Sequence, residues 1–90
     1  MPNRPILCVD DEPNNLALIR QVLQDEYRLV FARNGVEALH AAAKHLPSLI
    51  LLDVDMPDID GYTVANTLKG DLNTEHIPII FVTSLDKEVD

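Results

Sequence analysis

Basic side chains are scarce in this sequence. Seven Lys and Arg stand against 15 Asp and Glu, which leaves a formal net charge of −8. A nucleic-acid binder needs a basic footprint, so that class is excluded. An anionic bilayer would repel the chain as well. No apolar run approaches the length of a membrane span. Cys8 is the single cysteine, so no internal disulfide can form and a reducing compartment is expected. Met1-Pro2-Asn3-Arg4-Pro5 is polar and proline-broken, and the four apolar residues after it are too few for a secretory leader. Tryptophan is absent and aromatics make up only 4%, so aliphatic side chains must fill the core. Apolar residues, aromatics included, make up 47% of the 90 positions and suffice for one small folded domain. The expectation is a soluble, acidic, cytoplasmic domain suited to a metal cation or a basic partner patch.

Hydrophobic periodicity alternates between strand and helix along the chain. Short apolar runs over 6–9 and 49–52 predict buried strands, 79–82 predicts a further apolar strand, and residues 27–32 predict another. Between them, Leu16, Ile19, Val22 and Leu23 recur at helical spacing over 14–25, with Asp11 or Glu12 as cap and Pro13 in the first turn. Val36, Leu39, Ala43 and Leu46 predict a second helix, entered at Asn34 with Glu37 three residues on and stopped near Pro47. Asp60 caps a third, with Gly61, Val64, Ala65 and Leu68 on one face and Lys69-Gly70 as its stop. The order β-α-β-α-β-α-β predicts an α/β fold with a parallel sheet covered on both faces. In such sheets ligands sit beyond the carboxyl ends of the strands.

Carboxylates gather at those ends. Asp10 and Asp11 follow the first strand and Asp53 the third. Seven of the 15 acidic residues lie in the windows 10–12 and 53–60, neither of which contains a basic residue. Any single Asp there could serve only as a cap or turn residue. Three of them on two strands at the functional edge point instead to a shared cation. The ligands are hard oxygens, which favours Mg²⁺ over zinc or copper. Asp53, directly after Leu49-Ile50-Leu51-Leu52, is expected where burial fades, exposed enough to react yet held by a rigid element. A carboxylate can attack phosphorus to give an acyl phosphate. Thr83, ending the fourth strand, could donate to a phosphoryl oxygen, or it and Ser84 could simply cap a turn. His40, His45 and His76 are expected at the surface, Cys8 as a buried inert thiol, and Asn14 and Asn15 as ordinary helix-start residues.

Taken together these residues resemble the receiver domains of two-component response regulators. The resemblance is carried by Asp10-Asp11 after one apolar strand, Asp53 after another, Met56-Pro57 followed by Gly61, and Thr83-Ser84 after the fourth, in order from about Ile6 to Leu85. It implies a flavodoxin-like doubly wound parallel sheet, strand order 2-1-3-4, with residues 1–90 as one receiver domain. Asp53 would be the phosphoacceptor, taking a phosphoryl group from the phosphohistidine of a sensor histidine kinase or phosphotransfer protein. Asp11, Asp53 and the backbone carbonyl of Asp55 would hold Mg²⁺, with Asp10 acting through a bound water. Thr83 would be the switch hydroxyl. No independent catalytic turnover is implied, and an output domain is expected in the same longer chain.

The family domain continues with a fourth helix, a fifth strand ending in lysine and a fifth helix. Lys87 follows the fourth strand and is not that lysine. The resemblance therefore implies a receiver truncated at its C-terminal end. Its fourth strand would be an apolar edge through which two copies pair. Asp53-Val54-Asp55 also resembles the D-x-D motif of haloacid-dehalogenase-type phosphatases. In those it belongs on the first strand of the sheet, which leaves Asp10-Asp11 without a place. An EF-hand loop around Asp55, Asp58 and Asp60-Gly61 fails on acid spacing and on Pro57.

Overall fold

The computed structural model describes residues 4–82. Four strands alternate with three helices: β1 (Ile6–Val9), α1 (Pro13–Leu23), β2 (Leu29–Ala32), α2 (Gly35–His45), β3 (Leu49–Asp53), α3 (Gly61–Lys69) and β4 (Ile79–Val82). The strands form one parallel sheet in the order β2-β1-β3-β4. This is the flavodoxin-like arrangement expected from the sequence.

Strand alternation separates two cores. Leu7, Val9, Ala32, Ile50 and Leu52 pack on one face with Ala38 and Ala42 of α2 and with Val64 and Leu68 of α3. Ile6 and Cys8 point to the other face, where Leu16 of α1 covers them together with Ile19, Leu29, Phe31, Leu49 and Leu51. β1 is buried along its whole length, as its unbroken apolar run requires. Burial pushes the Cys8 thiol up to about 11, so it stays protonated and inert at neutral pH.

The caps follow sequence chemistry. Glu12 caps α1 through the Asn14 amide, Asn34 caps α2 through the Glu37 amide, and Asp60 caps α3 through the Thr63 amide. Glu37 reaches back to the amide of Arg33 (2.8 Å), one residue beyond the usual box partner. α2 ends on Leu46 in the left-handed region (φ 45°). Two helix faces differ from the periodicity reading. Val22 is 69% exposed in α1. Along α2 the buried stripe is Gly35, Ala38 and Ala42, while Val36 is 48% exposed and Ala43 is also exposed. Small side chains bring this helix onto the sheet, so the larger apolar residues do not mark its buried face.

The segment between α3 and β4 is held by backbone acceptors. Lys69 Nζ donates to the carbonyls of Glu75 (3.0 Å) and Ile77 (2.8 Å), and Thr74 Oγ1 donates to Leu68 O (2.7 Å). Ile77 is buried beneath this turn. β4 then pairs with β3 on one side, and among the described residues no strand pairs with its other side. Ile80 is 52% and Phe81 44% exposed there, with Tyr62 of α3 against Phe81 at 4.9 Å between ring centroids.

Candidate functional site

The sheet register builds the site. Val9 is level with Leu52, so Asp10 and Asp53 lie one step beyond, side by side at the carboxyl edge. Asp11 follows in the turn into α1. One carboxylate oxygen from each of Asp10, Asp11 and Asp53 lies within 4.8 Å of the others. An octahedral Mg²⁺ with oxygens at about 2.0–2.1 Å needs neighbouring ligands about 2.9 Å apart and opposite ones about 4.2 Å apart. The three acids are near enough to one another to share one such ion. Their all-oxygen chemistry suits a hard divalent cation.

Asp10 is 4% exposed and Asp53 fully buried. The burial of Asp53 corrects the expectation that exposure would begin there. Asp53 is the last residue of β3 and is level with Val82 of β4, so it is still covered on the sheet. Asp55 donates its amide to Asp53 Oδ1 at 3.3 Å, and the Asp55 side chain itself is exposed.

Asp10 is already engaged by protein. Its Oδ1 accepts the amide of Glu12 (2.9 Å) and its Oδ2 accepts Asn15 Nδ2 (3.2 Å). Asn15 therefore orients a member of the acidic cluster, a role not read from the sequence. An i, i+5 contact across a strand–helix turn leaves no periodic signal. Glu12, not Asp11, caps α1, which leaves the Asp11 carboxylate to the cluster. Thr83 lies outside the described residues, as do Ser84, Leu85 and Lys87.

Gly61 and Asp58 have structural roles that the sequence reading did not assign them. A Cβ on Gly61 would lie 2.3 Å from Asp53 O and 2.9 Å from Val54 Cα, so glycine lets α3 start against the end of β3. The Gly61 amide donates to Val54 O at 2.9 Å. Asp58 Oδ1 accepts the Gly35 amide (2.9 Å) and Oδ2 the Val36 amide (3.0 Å), at the start of α2. The Gly35 amide foremost, with those of Ile59 and Val36, holds the Asp58 carboxyl below its ordinary value against a smaller opposing effect of burial. A lowered folded value means that this contribution to stability is present above the ordinary carboxyl range. It is lost as pH falls through the lowered value.

Comparison with known proteins agrees with this geometry. The family described as response regulator receiver domain matches residues 6–90. The response regulator PleD of Caulobacter vibrioides is 49% identical over 82 residues, which is 90% of this chain and 18% of PleD. The polar-differentiation response regulator DivK of Brucella anthropi is 38% identical over 82 residues, 90% of this chain and 67% of DivK. Among solved structures, the response regulator TrrA of Thermotoga maritima, in complex with Mg(2+)-BeF, superposes with a TM-score of 0.82 at 36% identity, covering 92% of this chain and 71% of that one. The chain thus spans less than a fifth of PleD and about two thirds of DivK. With its strand order, acidic edge and family match in agreement, this chain belongs to the response regulator receiver domain family.

Proposed function

We propose that Asp53 is the phosphoacceptor of a signalling switch. The observation that carries this reading is the convergence of the Asp10, Asp11 and Asp53 carboxylates at one sheet edge. In the proposed step an Asp53 oxygen attacks phosphorus in line. The bond from phosphorus to the donor imidazole nitrogen breaks, and its electron pair returns to the imidazole. The product is an acyl phosphate on Asp53 and a free histidine on the kinase or phosphotransfer protein.

Mg²⁺ would be held by Asp11, Asp53 and the carbonyl of Asp55, with Asp10 acting through a water. The engagement of Asp10 by Glu12 and Asn15 suits that indirect role. Bound there, the ion would offset the charge of the phosphoryl oxygens. The complex of TrrA with Mg(2+)-BeF supports the choice of ion. Thr83 would supply a hydroxyl to the phosphoryl group, and the charge gained would be read by partners as a surface change. The domain performs no turnover of its own. An output domain in the same longer chain would convert the switch into activity, in keeping with the small share of PleD that this chain covers. The reading places it in the cytoplasm, and no helix among the described residues is long and apolar enough to cross a membrane. Incubation with a phosphohistidine-labelled kinase should move the label to this chain in an alkali-labile, hydroxylamine-sensitive form. Label retained by Asp53→Asn would contradict the assignment.

A further inference from the structure

The loop over residues 54–60 is fastened at three points. At its start and end the Gly61 amide closes onto Val54 O (2.9 Å), and the Asp60 carboxylate caps α3 through the Thr63 amide (2.8 Å). In its middle, Asp58 accepts the amides of Gly35 and Val36 at 2.9 and 3.0 Å, with one carboxylate oxygen for each. These are the first two residues of α2, whose donors have no partner within the helix. Packing reinforces the tether, because a Cβ on Gly35 would lie 2.8 Å from Ile59 Cβ. Two amides at the start of α2 are therefore satisfied by a residue 22 and 23 positions away. A third, that of Glu37, is satisfied locally by Asn34 (2.8 Å).

Asp58 follows Asp55 by three residues, and the Asp55 amide reaches Asp53 Oδ1 at 3.3 Å. Both Asp58 oxygens are occupied at α2, so Asp58 is not itself a candidate ligand. We infer that Asp58 is a positioning residue: by fastening the loop to the start of α2, it holds the Asp55 peptide against Asp53 in the arrangement that a divalent cation needs. This inference rests on the cation reading of the acidic cluster. It assigns α2 a part in the site although α2 contributes no ligand.

The test is the Mg²⁺ dissociation constant, measured by calorimetry on the full chain, for wild type, Asp58→Ala, Asp58→Asn and Asn34→Ala. Unfolding midpoints are measured alongside. Asp58→Ala should weaken Mg²⁺ binding by roughly three- to tenfold, less than loss of a group bonded directly to a ligand. Asp58→Asn, which keeps one acceptor oxygen, should recover part of the affinity. Asn34→Ala removes a cap at the same helix end without releasing the loop. It should lower stability and leave Mg²⁺ affinity unchanged. Unchanged affinity in Asp58→Ala, or an equal loss in Asn34→Ala, overturns the positioning role and leaves the cation site standing. A wild-type chain that binds no Mg²⁺ overturns the cation reading and this inference with it.

Discussion

Gly61→Ala should be among the most damaging single substitutions in this chain, although it adds one methyl group at the first turn of a helix. The new Cβ would meet only backbone: Asp53 O at 2.3 Å, Val54 Cα at 2.9 Å and Asp53 C at 3.0 Å. Backbone at the end of a buried strand cannot rotate away as a side-chain tip can. Alanine's better helix propensity returns at most about 1 kcal/mol. Overpacking typically costs about 1–3 kcal/mol, and contacts this short put the cost at the upper end. A net loss of about 2 kcal/mol lowers the midpoint of a domain this size by roughly 8–16 °C. Gly70→Ala is the control. Its nearest neighbours would be 3.5 and 3.7 Å away, so it should be neutral or slightly stabilising. Thermal unfolding followed by circular dichroism checks both. A Gly61→Ala midpoint equal to wild type would mean that the close approach of α3 to β3 is not structurally required. Because the affected peptide is that of Asp53, the same substitution should also impair any chemistry at this residue.

The second large effect is stabilisation by cation. Three carboxylates meet within 4.8 Å, one of them fully buried. An ion that binds only the folded chain adds about 2.7 kcal/mol at one hundred times its dissociation constant. For this chain length that raises the midpoint by roughly 10–20 °C. Asp53→Asn and Asp11→Asn should each abolish most of this shift. Without Mg²⁺, Asp53→Asn should melt above wild type, because it removes one of three crowded charges and keeps an acceptor for the Asp55 amide. Melts with and without Mg²⁺ decide the matter. An equal Mg²⁺ shift in wild type and Asp53→Asn would place the ion elsewhere.

Much of the fold was legible because strand and helix periods differ sharply. Ile6–Val9, Ile79–Val82 and the caps Asn34 and Asp60 lie where the sequence indicated, and Glu12 is one of the two residues it offered as the cap of α1. The acidic edge was legible because carboxylates directly after buried strands must emerge at one end of a parallel sheet. Other features needed the third dimension. Ala38 and Ala42 bury the face of α2, and alanine carries too little hydrophobic contrast to mark a face against Val36. The burial of Asp53 depends on the level of β4, which no reading of β3 alone supplies. The Asp58 tether joins residues more than 20 positions apart, and a carboxylate after Pro57 looks like any loop acid. Gly61 was read as one residue on a helix face and as part of a family motif. Its contact with the Asp53 carbonyl appears only when α3 is placed.

The central claim is that Asp53, in its cluster with Asp10 and Asp11, accepts a phosphoryl group. Intact mass after incubation with Mg²⁺ and acetyl phosphate tests it most directly, with Asp53→Asn and a metal-free sample as controls. One added phosphoryl group in the wild type, absent from both controls, is the predicted result. The same gain in Asp53→Asn, or none in the folded wild type with Mg²⁺ bound, would contradict the claim.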